Sequence, residues 1–203
     1  MKILSASFIT IITMSSMFLV ACSDSLVTTP VKVDTTVIAR SDVRADSVVG
    51  WVYYSIDGDS VVPSDSASTA SWDVCMQYLQ CCGKTRNIFI RLNSGNVGVG
   101  GTRGAIVKSR FENVKSLPSG TVLRNDDTLS PVIAFIGVDP VWVYQGAPNH
   151  TLAPSPDKTI AIKTRTGRLV KFQFTSIYEG APVTPTQDSP IGYYHFRYAN
   201  LSQ

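Results

Sequence analysis

Two segments near the C-terminus restrict the possible folds more than any other feature of this chain. Residues 169–178, Leu-Val-Lys-Phe-Gln-Phe-Thr-Ser-Ile-Tyr, and residues 192–198, Gly-Tyr-Tyr-His-Phe-Arg-Tyr, are dense in aromatic and β-branched side chains. In an extended chain successive side chains point to opposite faces, so Tyr194, Phe196 and Tyr198 share one face and His195 takes the other. Residues 159–164, Thr-Ile-Ala-Ile-Lys-Thr, run through Arg165-Thr166-Gly167 into the first of these segments, the pattern of a β-hairpin. No stretch shows the amphipathic spacing i, i+3, i+4, i+7 that a surface helix needs. The expectation is a single all-β, sandwich-type domain with long loops.

The remaining segments agree with that class. Residues 35–49 mix short apolar pieces with charge and read as a first edge strand. Residues 51–56 (Trp-Val-Tyr-Tyr-Ser-Ile) end at Asp57-Gly58-Asp59 and are followed by Val61-Val62, which predicts a second hairpin. Trp72-Asp73-Val74 opens a further strand and residues 88–92 continue the β pattern, while residues 75–87 carry no pattern that assigns them. Residues 93–104 are glycine-dense. They lack a Gly-Lys-Ser/Thr ending and lead into the β-like Ala105-Ile106-Val107, so they read as a surface loop and not as a phosphate cradle. Residues 131–136 (Pro-Val-Ile-Ala-Phe-Ile) are apolar throughout and read as a buried strand or a ligand-facing segment. Trp142-Val143-Tyr144 starts another strand. Pro148, Pro154 and Pro156 exclude helix or central strand from residues 146–157.

The N-terminus carries a processing signal. Lys2 precedes an apolar run over residues 3–20, and Leu19-Val20-Ala21-Cys22 is followed by polar Ser23-Asp24-Ser25. This is the form of a secretory signal ending in a bacterial lipobox, in which Cys22 receives a diacylglycerol and, after cleavage, an N-acyl chain. Several acyl chains on one residue give stable anchoring. The expected organisation is a signal peptide over residues 1–21, a lipidated Ser/Thr/Val-rich tether over 22–34, and one domain over 35–203. Of the 203 residues 182 remain after cleavage, enough for one core. The formal charge falls from +3 to about +2 with no Lys/Arg run, which excludes a nucleic-acid partner. With Cys22 lipidated, Cys75, Cys81 and Cys82 remain. A Cys75–Cys81 or Cys75–Cys82 bridge with one thiol over is expected in an oxidising compartment. A zinc site lacks a fourth ligand at normal spacing.

The order of motifs has a resemblance. Ser71-Trp72-Asp73, Ile90-Arg91-Leu92-Asn93 and Gly100-Gly101 are followed by Trp142-x-Tyr144, Asn149-His150-Thr151-Leu152-Ala153-Pro154 and Ile160-x-Ile162-Lys163-Thr164-x-x-Gly167. Lys171-Phe172-Gln173-Phe174, Ser176-x-Tyr178 and Gly192-x-Tyr194-x-Phe196-x-Tyr198 complete the series. From about Trp51 to Tyr198 this resembles the HmuY family of Bacteroidetes surface lipoproteins. The resemblance implies an all-β domain anchored in the outer membrane and exposed at the cell surface, which binds haem and passes it to a TonB-dependent receptor. Family haem binders hold the iron between two His or two Met side chains. The resemblance places no residue of this chain on those axial positions, and the cysteine-bearing residues 75–87 look like an insertion.

Scarcity narrows the candidates for an iron ligand. The mature chain has two histidines, His150 and His195, and one methionine, Met76. Haem iron takes His, Met, Cys or Tyr. His150 lies in a proline-rich loop, where binding residues gather on β scaffolds. His195 sits opposite the aromatic face, as a solvent-facing or cross-strand residue would. Met76 follows Trp72 and Cys75 and fits core packing equally well. Tyr144 is a further ligand or propionate contact, and Arg91, Arg103, Lys163 and Arg165 are cations for propionates. No Gly-x-Ser-x-Gly elbow, His-Glu-x-x-His or paired-carboxylate motif occurs, so a binder and not an enzyme is expected. The competing expectation is a surface binding or adhesion module for a glycan, peptide or host protein, since Trp51, Tyr53, Tyr54, Trp142 and Tyr144 also suit sugar stacking.

Overall fold

Eleven strands in three antiparallel sheets account for the regular structure of this computed structural model, which describes residues 35–45, 50–81 and 85–202. The expected signal segment and tether, with Cys22, and also Cys82 lie outside the described residues. The strands are β1 (Ile38–Arg44), β2 (Trp51–Ser55), β3 (Ser60–Val62), β4 (Val74–Cys81), β5 (Thr85–Leu92) and β6 (Arg103–Val107), then β7 (Trp142–Gln145), β8 (Thr151–Pro154), β9 (Thr159–Lys163), β10 (Leu169–Tyr178) and β11 (Ile191–Asn200). One sheet has the order β1-β11-β10-β9-β6, a second β3-β2-β4-β5, and β7-β8 form a separate ribbon.

Alternation sets which face of each strand is buried. Phe172, Phe174, Tyr194, Phe196 and Tyr198 of the five-stranded sheet meet Val52, Tyr54, Val74, Met76, Ile88, Ile90 and Leu92 of the four-stranded sheet in one core. Tyr54 meets Phe196 edge to face at 4.9 Å, and the Tyr194 hydroxyl donates to the carbonyl of Gln77 across the sheets at 2.6 Å. The Asp57-Gly58-Asp59 turn adds a polar tie. Asp59 accepts from Tyr54 Oη at 2.5 Å and from Tyr198 Oη, and pairs with Arg40. One carboxylate thereby serves three donors from β1, β2 and β11.

Residues 75–87, which the sequence left unassigned, continue β4 and start β5. The two strands pair from Val74↔Leu92 to Cys81↔Thr85. This register removes one expected disulfide. Cys75 and Cys81 lie on the same strand six residues apart, about 20 Å by strand rise, against the ~4.4–6.8 Å that a bridge spans. Cys75 is a free, buried thiol.

The glycine-dense loop also has a packing cause. Asn93, fully buried, donates to the carbonyls of Thr69 and Trp72, both at 2.9 Å, and accepts from Gly100 N at 2.8 Å. A Cβ at Gly98 would sit 2.1 Å from Asn93 Oδ1, and one at Gly100 would sit 2.6 Å from Asn93 Cγ. The chain wraps around this amide more closely than any side chain at those positions allows.

The outer faces of the two sheets differ. Residues 108–117 cover the five-stranded sheet: Val107, Val114, Ala161, Leu169 and Leu201 form a second apolar cluster. The ring of Phe111 lies beside two cations, 4.4 Å from Lys171 Nζ and 4.3 Å from Arg197 Cζ. The outer face of the four-stranded sheet is covered in part: Cys75 and Gln77 of β4 are buried there, and Phe89 of β5 is exposed.

Candidate functional site

Two of the sequence candidates, Tyr144 and His150, meet on the β7–β8 ribbon. The ribbon pairs Trp142↔Pro154, Val143↔Ala153, Tyr144↔Leu152 and Gln145↔Thr151. Residues 146–157, read as a loop, thus contribute the short strand β8, compatible with its prolines because the ribbon has only two strands and Pro154 closes it. His150 N donates to Gly146 O at 3.1 Å, and His150 itself has φ +48°. His is among the non-glycine residues that enter the left-handed region most readily. That turn swings the imidazole back over the strand, and Tyr144 Oη and His150 Nδ1 lie 2.5 Å apart. Both side chains are exposed, Tyr144 by 60%.

The base of the ribbon is fixed. Trp142 is buried against Phe174 at 5.5 Å. Leu152 N donates to Tyr178 Oη at 2.8 Å, and Ser155 N to Val141 O at 2.9 Å. The neighbouring segment is apolar and outward. Val141 N donates to Ala134 O at 3.0 Å, closing a loop that exposes Ile136 and Val138, while Val143 on the ribbon is exposed as well. Residues 131–136 are therefore neither a strand nor uniformly buried: Val132 and Ile133 enter the core and Ile136 faces out. The ribbon thus presents an exposed oxygen and nitrogen donor side by side, while Val143, next to Tyr144 on β7, points to the other face.

The other candidates go elsewhere. Met76 is fully buried inside the main core, so its thioether has no access to a ligand and the core reading holds. His195 is 4% exposed, and its Nε2 lies 2.8 Å from the carbonyl of Tyr178 and 3.1 Å from Asp42 Oδ1. Asp42 also accepts from Gly180 N at 2.8 Å. His195 thus ties β1, β10 and β11 together, a cross-strand role that excludes it as an iron ligand. Arg103 bonds Asn125 Oδ1 at 3.2 Å through Nε. Arg165 lies in the turn after β9, and Lys163 pairs in register with both Arg103 and Leu169. The ribbon instead packs at Tyr178, nine residues along β10, about 30 Å by strand rise. Arg103, Lys163 and Arg165 therefore cannot serve the propionates of a haem held at Tyr144 and His150. Arg91 lies on the outer face of the four-stranded sheet, in a groove with Cys75 on its floor. Burial pushes the Cys75 thiol far up, so it stays protonated. Among the described residues no three His, Cys, Asp or Glu side chains cluster as a metal site.

Sequence reasoning found Tyr144 and His150 separately but not their contact, which depends on the backbone of the turn. It missed Gln77 of the groove because residues 75–87 had no assignment, and Phe89 because the β4–β5 register that sets it opposite Gln77 is not legible in residues 88–92 alone. The available signal was Trp51 and Tyr53 alternating with Val52 and Tyr54, which puts aromatic rings on both faces of one strand.

No protein-family model matches the sequence and no curated protein matches it. Among solved structures the chain is similar to the apo HmuY analogue of Tannerella forsythia, with TM-score 0.48 and 14% identity over 84% of this chain and 99% of the other. It is similar also to a protein of Bacteroides vulgatus proposed to be HmuY-like and haem-binding, with TM-score 0.47, 13% identity and coverage of 82% and 91%. A third is a protein of Bacteroides fragilis proposed to be a lipoprotein, with TM-score 0.47, 12% identity and coverage of 86% and 94%. Likeness at this level lies in the overall trace and assigns neither a ligand nor a residue role to this chain.

Proposed function

We propose that this chain is a non-enzymatic haem binder, anchored by lipid on Cys22 to the outer membrane and exposed at the cell surface, which passes its haem to a TonB-dependent receptor. The observation that carries the reading is the Tyr144–His150 pair on an exposed ribbon. Phenol and imidazole are both iron donors, and at 2.5 Å one steadies the other. Tyr144 Oη would hold ferric iron, with His150 Nδ1 orienting the phenol through their hydrogen bond. The exposed Ile136 and Val138 of the preceding loop would offer the porphyrin an apolar contact. The resemblance of the motifs and the lipobox support the anchor and the receptor. The ring is held on one side only, so ready release to a partner is part of the reading.

The test is a haemin titration of the protein starting at Ser23, followed by absorbance in the oxidised and reduced states. A saturable, shifted Soret band that Tyr144→Phe and His150→Ala both alter, and that His195→Gln leaves in place, is expected. No saturable change in a protein folded by circular dichroism would reject haem binding. Binding indifferent to both ribbon variants would move the site elsewhere.

A further inference from the structure

The outer face of the four-stranded sheet carries a groove with Cys75 and Gln77 buried at its floor and Phe89 exposed. In register, Trp51↔Gln77↔Phe89 form one row across β2, β4 and β5, and Tyr53↔Cys75↔Arg91 form the next. These are the outward positions, because their neighbours Val52, Tyr54, Val74, Met76, Ile88 and Ile90 are in the core. A solvated sheet face is ordinarily polar. Here it presents three aromatic side chains, with Phe89 38% exposed, around a concavity of about 540 Å³, within the size range of small-ligand sites.

The walls are set. Trp72 meets Tyr53 edge to face at 5.1 Å, and its Nε1 donates to Ala67 O at 3.0 Å. Asn93 fastens Thr69, Trp72 and Gly100 together behind it. Trp51 and Phe89 stand two strands apart, about 10 Å, with the Gln77 amide between them. Arg91 stacks 5.2 Å from the Phe89 ring centre, and its Nη1 donates to Ile90 O at 3.1 Å. Among the described residues no carboxylate forms an ion pair with it. The groove combines stacking surfaces, an amide with both donors and an acceptor, and a cation at its rim. Among the described residues its lining includes no His or Met; its iron-type donors are Cys75, 3% exposed and held protonated by burial, and the Tyr53 phenol, which burial also pushes up.

We infer that this groove binds an acidic saccharide: the ring lies between the aromatic side chains of Trp51 and Phe89, its hydroxyls meet the Gln77 amide, and its carboxylate pairs with Arg91. Aromatic faces take the apolar C–H faces of a sugar, and an arginine fork takes a carboxylate through two parallel hydrogen bonds. The inference does not depend on haem binding at the ribbon.

Calorimetric titration of the protein from Ser23 onward with a hyaluronan tetrasaccharide and with sialyllactose, against neutral chitotetraose, tests it. Saturable binding of at least one acidic sugar is expected. Arg91→Gln should weaken it about ten-fold or more, the value of one charge-assisted contact. Phe89→Ala, checked for an intact fold by circular dichroism, should weaken it as well, and Tyr144→Phe should leave it unchanged. Absence of binding by both acidic sugars, or binding indifferent to Arg91→Gln and Phe89→Ala, would overturn the inference. So would haemin competing with the sugar and losing affinity in the groove variants, because the groove would then be the haem site. Loss of the haem reading alone, with sugar binding intact, leaves the inference standing.

Discussion

Asp126 offers the sharpest test of how the loops of this protein are held. It is 2% exposed and serves backbone donors from two directions. Its Oδ2 accepts from Leu92 N at the end of β5 at 2.6 Å, and its Oδ1 accepts from Val132 N at 2.7 Å and Asp127 N at 3.0 Å. Its own N–H donates to Ser94 Oγ at 2.9 Å. The carboxylate thus fastens residues 126–133, and with them the exposed loop before the ribbon, to the four-stranded sheet. Asp126→Ala leaves the Leu92 and Val132 amides buried without an acceptor. Each orphaned buried donor costs about 1–3 kcal/mol, so the pair costs roughly 4 kcal/mol, a large part of the ~5–15 kcal/mol that holds a domain together. Asp126→Asn keeps one carbonyl oxygen and should cost about half, roughly 2 kcal/mol. Asp157→Ala, at an exposed loop position, should stay within about 0.5 kcal/mol. Urea unfolding followed by circular dichroism and tryptophan fluorescence measures all three. An Asp126→Ala protein within about 1 kcal/mol of the parent would refute the reasoning, because two buried amides cannot lose their acceptor so cheaply.

Three further outcomes are expected. Burial raises the Tyr194 phenol well above its usual range, while its hydroxyl donates to Gln77 O. A raised folded value means the stabilisation is complete below pH 10 and is lost as pH climbs past it, by about 1.4 kcal/mol per pH unit; urea midpoints from pH 9 to 11 should fall less steeply in Tyr194→Phe. Gly98→Ala should lower stability by about 1–3 kcal/mol through its clash with the pinned Asn93, and loss of less than measurement error would show that Asn93 can move. Cys75, buried and held protonated, should resist a thiol reagent in the native protein and react once urea unfolds it; fast native labelling at Cys75, located by peptide mass, would contradict that burial.

What the amino-acid sequence determined by itself is whatever depends on neighbours along the strand. The β9–β10 hairpin, the aromatic face of β11, the β2–β3 turn and the β class follow from a period of two and from local turn chemistry. The glycine-dense loop was recognised as a loop from its composition. Its reason for needing glycine was not legible, because it lies in the Asn93 side chain folding back on Gly98 and Gly100. Scarcity likewise singled out His150, Met76 and His195, but burial sorted them. Met76 is in the core, and His195 is spent on Asp42 and Tyr178. Only the turn at His150 brings its imidazole to Tyr144. The groove needed tertiary structure most. Its two rows join residues up to 38 positions apart, Trp51 with Phe89 and Tyr53 with Arg91, and exist only once strand register is set. Register between strands depends on which faces two sheets bury against each other, and that information is shared among distant segments instead of residing in any one of them.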